Sequence, residues 1–229
     1  MKATISNSSD ILMHATLDDD RARVKELLKA APELATERVK KARLALELPH
    51  WIYAGGMPLH AAAAGYRVEI AKSLLAAGAE VNAAGTHRHA TALHYAADGD
   101  PERDTKRQVA MIQLLLEAGA DIQAQDKNGA TPLHRAVRTR CAEAVKYLLD
   151  AGADTTVRNK PGSTAFHLAV QNTGRGGSGA EMAKAAQRAI IRMFVERGVS
   201  TGLKDARGKS VLEWARSEEI RETLLNDEN

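Results

Sequence analysis

Rings are scarce in this chain: Phe, Trp and Tyr make up 3% of its 229 residues. So few rings argue against the filled core of a β-sandwich or barrel and against a stacking platform for single-stranded nucleic acid. Cysteine is nearly absent too. Cys141 stands alone, so no internal disulfide framework holds the fold, and a reducing compartment is expected. No apolar run is long enough to cross a membrane as a helix. The opening MKATISNSSD carries one Lys and no apolar core of a secretory signal, so a cytoplasmic location is expected. Neither charge sign dominates, with 32 basic against 29 acidic residues and a net charge of +3, which by itself does not imply nucleic acid. Metalloprotease, Walker and nucleophile-elbow motifs are missing, so neither enzymatic activity nor a cofactor is expected.

What the chain does hold is Ala and Leu, within a hydrophobic content of 44%, and it holds them in a repeating pattern. MPLHAAA (57–63), TALHYAA (91–97), TPLHRAV (131–137) and TAFHLAV (164–170) carry histidines spaced 34, 40 and 33 residues apart. A second marker follows each: SLLAAGAE (73–80), LLLEAGAD (114–121), YLLDAGAD (147–154) and MFVERGVS (193–200). Degenerate copies, LMHAT at 12–16 and SVLEWA at 210–215, stand at the two ends.

The paired signatures resemble the ankyrin repeat family over nearly the whole chain. The resemblance implies an all-α fold: an ankyrin-repeat solenoid of stacked helix-turn-helix units with β-hairpin fingers, 1–229 as a single domain. Six units fit, at about 8–35, 55–84, 86–124, 126–157, 159–203 and 205–226, the outer two acting as caps with polar outer faces. The residues suit that plan. Thr131 is a natural N-cap and Pro132 fits the first helical turn. Small residues such as Ala61, Ala62, Ala96 and Ala136 let helices approach closely. Leu148 and Leu149 pack the second helix, Gly152 ends it in the left-handed conformation, and DKNG (126–129) turns the chain into the next unit. By the same resemblance His60, His94, His134 and His167 are architectural, each tying its helix to backbone near the turn.

Function is sought where the period breaks, since insertions in such arrays map to loops on one face. The longest insertion, 36–54, predicts a short helix over 36–48, capped by Thr36, followed by Trp51 and Tyr53 on the first finger. Trp51 is either packed beneath that helix or exposed as a contact anchor. A second insertion, 98–106, alternates Asp98, Asp100, Glu102 and Asp104, but lacks the Gly and terminal Glu of a calcium loop and reads as a solvated acidic loop. The finger GTHRHATALH (85–94) is one residue longer than its counterparts and sets His87 and His89 two apart. They are a pair of weak metal ligands if extended, with no third or fourth ligand in view. The third insertion, 172–184, contains TGRGGSGA. Its Gly174, Gly176 and Gly179 have dinucleotide-loop spacing, but helices rather than a strand are expected around them, so they read as an inter-helix loop. Cys141 opens a second helix and reads as an inert thiol.

The contact positions that the resemblance implies are finger tips and exposed ends of first helices. They give Trp51, Tyr53, Arg88, Tyr95, Lys127, Asn128, Arg138, Arg140, Lys160 and Arg207 as partner-binding candidates, with no catalytic residue and no resident metal. The set is basic, so the expected function is a non-enzymatic protein–protein interaction module, an adaptor, inhibitor or effector subunit facing an acidic protein surface. A monomer is expected. The alternative is nucleic-acid or polyanion binding through the same face. A third reading is metal-dependent activity at His87 and His89.

Overall fold

A computed structural model describes residues 2–39, 43–44, 51–52, 55–99, 104–171 and 181–226. Six successive helix pairs run along them: α1 (Lys2–Leu17) with α2 (Arg21–Ala30), α3 (Pro58–Ala64) with α4 (Val68–Ala76), α5 (Ala92–Ala97) with α6 (Thr105–Glu117), α7 (Pro132–Arg138) with α8 (Ala142–Asp150), α9 (Ala165–Ala169) with α10 (Glu181–Val195), and α11 (Val211–Trp214) with α12 (Glu218–Asn226). No described helix is long and apolar enough to cross a membrane.

Two compact units form, one from residues 1–96 and 106–121, the other from 97–105 and 122–229. In the first, α1 packs on α3 and α2 on α4, while each pair also closes on itself. In the second, α7 packs on α9 and α9 on α11, while α8 packs on α10 and α10 on α12. First helices therefore stack on first helices and second on second. The sequence explains why. Every residue of α3 is buried, so its run Ala61–Ala64 is what fits between neighbours on all sides. In α8 the buried Ala144, Val145, Leu148 and Leu149 form one stripe, while Lys146 and Asp150 pair on the solvent side at 2.7 Å. Larger side chains meet between α9 and α10, where Phe166 and Phe194 stack with ring centroids 4.8 Å apart.

Ends are chemically specified. Thr131, Thr164 and Ser210 accept N–H groups in the first turns of α7, α9 and α11. Gly78, Gly119, Gly152 and Gly198 follow the second helices with φ of 94°, 87°, 88° and 71°, values that residues with a Cβ adopt only at a cost.

The 36–54 insertion is not the predicted helix. A 3₁₀ turn (Pro32–Thr36) ends at its start. Beyond it, strand β1 (Arg43–Leu44) pairs antiparallel with β2 (Trp51–Ile52). Val39 also bonds across to residues 55–56, its N–H donating to the Gly56 carbonyl at 2.8 Å and its carbonyl accepting from Gly55 N–H at 2.7 Å. Arg38 locks the base by donating to the carbonyls of Gly55 and Ala84. A strand thus stands at Arg43–Leu44, within the span expected to be a helix. Thirteen residues would make only a marginal isolated helix, whereas cross-strand pairing satisfies this backbone directly.

Candidate functional site

The repeated histidines are placed by their own helix N-termini. Thr131 N–H and hydroxyl both donate to His134 Nδ1, at 3.3 and 2.9 Å, so the proton sits on Nε2, which donates to the Ser163 carbonyl at 3.2 Å. His167 repeats this with Thr164 and the Lys209 carbonyl. His60 accepts from Met57 N–H and donates to the Ala83 carbonyl, both at 2.9 Å. His94 takes the same bonds from Thr91. Each of His60, His134 and His167 therefore ties a helix start to the base of the next finger. Burial is the main influence holding all three below the ordinary imidazole range, and His60 falls to about 4. These rings are neutral structural pins.

Fingers follow one plan. Asp126, Asn159 and Asp205 each open a tight tip whose backbone closes on itself, with Asp126 N–H bonded to Ala130, Asn159 to Ser163 and Asp205 to Lys209. Gly129, Gly162 and Gly208 stand in the left-handed region at each tip. Neighbouring fingers are joined by backbone, Lys160 N–H to the Asn128 carbonyl at 2.8 Å and Ala206 N–H to the Gly162 carbonyl at 3.0 Å. The acids turn inward. Asp126 Oδ1 accepts from Asn128 and Ala130 N–H, and Oδ2 from Arg135 at 2.6 Å. Asp205 Oδ1 accepts from Arg207 and Lys209 N–H, and Oδ2 from the Trp214 indole at 3.1 Å. Burial opposes the charge on both carboxylates, but these donors outweigh it and hold them below the usual range. What the tips show outward is Lys127, Asn128, Lys160 and Arg207, all exposed.

Arg88 is likewise exposed on its finger, but two other predicted contacts are not at the surface. Tyr95 is 5% exposed, its ring 5.5 Å from that of His60. Arg140 is 4% exposed at positive φ, its guanidinium reaching the Gln171 carbonyl. Packing between helix ends covers both, so neither is available to a partner. Arg138 is exposed but bound to Asp98 at 2.9 Å. Asp98 in turn reaches Arg135 at 3.0 Å, giving a buried cluster in which Asp98 and Asp126 flank Arg135. Asp98 is thus not the solvated acid expected there but the anchor of an ionic pin. Tyr53 and the Trp51 side chain lie outside the described residues.

The other breaks in period bring no metal-binding cluster together among the described residues. His89 has φ of 52° and its N–H closes back on the Gly85 carbonyl at 2.8 Å. The extended geometry that would aim His87 and His89 the same way is absent. The extra residue of this finger instead puts His89 where Gly129, Gly162 and Gly208 stand in the others. Asp100, Glu102, Gly174, Gly176 and Gly179 fall outside the described residues. The described elements flanking that glycine stretch, α9 and α10, are helices. Cys141 precedes α8 and is buried.

One feature escaped the repeat signatures. A cleft of about 470 Å³ lies between the 204–210 finger and the ends of α9 and α11, lined by Val170, Gln171, Arg207, Lys209, Trp214 and Arg216, together with Asp205 and Glu213. Trp214 is half-buried, its indole held by Asp205 and its ring edge-on to His167 at 5.4 Å. A signal was present in the chain: Trp214 follows Asp205 by nine residues, the separation of Arg135 from Asp126.

A family profile described as "Ankyrin repeats (3 copies)" matches residues 12–122 and 103–184. The Neurogenic locus Notch protein of Drosophila melanogaster is similar to this chain, 44% identical over 69 residues. That match covers 30% of this chain and 2% of the Notch protein.

Proposed function

The chain belongs to the ankyrin repeat family, and from that premise we propose that it is a protein-binding module presenting basic finger tips to an acidic surface of another protein. Ankyrin repeats are in general protein–protein interaction modules, and non-enzymatic. The finer reading rests on one observation: the acids at the finger bases face inward, while Lys127, Lys160 and Arg207 face outward on fingers joined by backbone. The outward field is therefore more positive than a net charge of +3 suggests. Such a surface attracts acidic partners and speeds their encounter. It acts as an adaptor, inhibitor or effector subunit, through binding alone.

The test is capture of proteins on the immobilised chain, compared with a triple variant Arg88→Glu, Lys127→Glu and Lys160→Glu. Retained acidic partners should be lost from the variant while its thermal midpoint stays within a few degrees. Equal retention by both overturns the basic-face reading. Nucleic acid on the same face would instead show affinity falling steeply with salt as counterions are released.

A further inference from the structure

The cleft beside Trp214 combines an apolar wall with three cations, Arg207, Lys209 and Arg216, against two carboxylates, one of which, Glu213, also feels the charge of Lys209. Its two carboxylates are already engaged: Asp205 by two backbone N–H groups and the indole, Glu213 by the Ser210 N–H at 2.6 Å. Arg207, Lys209 and Arg216 are exposed along its rim. Among the described residues, none of the three closes an ion pair with an acid, in contrast to Arg188 with Glu219 and Arg197 with Asp150 in the same unit. The Trp214 ring is fixed in two directions, by its hydrogen bond and by His167, so a contact on its open side requires little further ordering. Val170 adds to the apolar wall.

We propose that this cleft holds an extended acidic segment of the partner protein, its carboxylates against Arg207, Lys209 and Arg216 and an apolar side chain on the Trp214 ring. The assignment rests on the protein-binding function above and specifies the partner's chemistry. A peptide fits better than a polyphosphate chain. Asp205 and Glu213 lie in the lining and would repel closely spaced phosphates, whereas carboxylates alternating with apolar side chains can avoid them. Trp and Arg are also the residues that most often carry binding energy at protein interfaces.

The experiment uses the full chain with Trp51→Phe, leaving Trp214 as its single tryptophan. It is titrated with a capped pentapeptide of Glu, Phe, Asp, Leu and Glu, with the same peptide bearing Lys for each acid, with free glutamate, and with oligothymidylate. The acidic peptide should give a saturable change in emission. Adding Lys209→Glu and Arg216→Glu should weaken binding at least about tenfold through lost attraction and new repulsion, while Lys127→Glu with Lys160→Glu leaves it within about twofold. Calorimetric titration of the unaltered chain supplies the same comparison should Trp51→Phe lower the thermal midpoint. No saturable response, an equal response to glutamate or oligothymidylate, or binding unmoved by the cleft reversals overturns the proposal. Peptide binding that survives while the finger-tip reversals fail to alter partner capture sinks the basic-face reading alone.

Discussion

Arg135 shows how a single side chain can carry a repeat. Its guanidinium is buried between Asp98 and Asp126, at 3.0 and 2.6 Å, and a fixed planar fork suits two carboxylates on different segments. Arg135→Leu should cost about 3 kcal/mol in urea denaturation, because it leaves the buried Asp126 Oδ2 without its cation and Asp98 with the exposed Arg138. Arg135→Lys should recover little of this, since an ammonium cannot span both acids in one geometry. Full stability in the leucine variant would show that the pin contributes nothing. The position nine residues after the finger's opening acid is reused: where one unit has Arg135 on Asp126, the last has Trp214 on Asp205. That exchange turns an ionic pin into the wall of a cleft.

Among the elements, the fingers are the most demanding. Gly162 has φ of 91°, and a Cβ there would stand 2.2 Å from Ala206 Cβ and 3.1 Å from Ala206 N. Gly162→Ala should therefore lower stability by at least about 2 kcal/mol, combining left-handed strain with displacement of the adjoining finger. His89 occupies the equivalent tip position with φ of 52°, and its substitution should go the other way. His89→Gly removes about 1–2 kcal/mol of strain against a smaller entropic penalty, so its thermal midpoint should equal or exceed that of the parent chain. A clear loss would mean that the imidazole makes a contact worth more than the strain.

For the molecule as a whole, the repeated imidazoles set a limit on acid tolerance. His60 falls from 6.5 to about 4 in the folded state through burial, with His134 and His167 shifted the same way. The unfolded chain therefore takes up these protons first. Their contribution to stability is complete above about pH 6.5 and is lost as pH falls below it, for His60 toward about 4. For His60 alone, a shift from 6.5 to about 4 corresponds to about 3 kcal/mol. Thermal midpoints should drop steeply across that window, and His60→Gln should flatten the drop while lowering stability at pH 7.5. A midpoint flat from pH 7 to 4 would contradict neutral, buried rings. On the proposed basic finger tips, partner binding should weaken with added salt by screening, less steeply than the counterion release of nucleic-acid binding would give.

Several things were legible residue by residue. The Thr-x-x-His spacing specified a cap and its reciprocal acceptor, glycines after the second helices marked left-handed ends, and the recurrence of both signatures gave the helix-turn-helix units. Local chemistry decides these features, so they can be read from a few neighbouring residues. Other features needed distant partners. The strand pairing of Arg43–Leu44 with Trp51–Ile52 replaced a helix that local periodicity favoured. Burial of Tyr95 and Arg140 and the capture of Asp98 by two arginines depend on what another part of the unit places beside them. At the Trp214 cleft, hydrogen bonds turn Asp205 into the finger and hold Glu213 on its own helix start, while Arg207, Lys209 and Arg216 stay exposed. Composition records how many charges there are; only tertiary structure decides which of them face solvent.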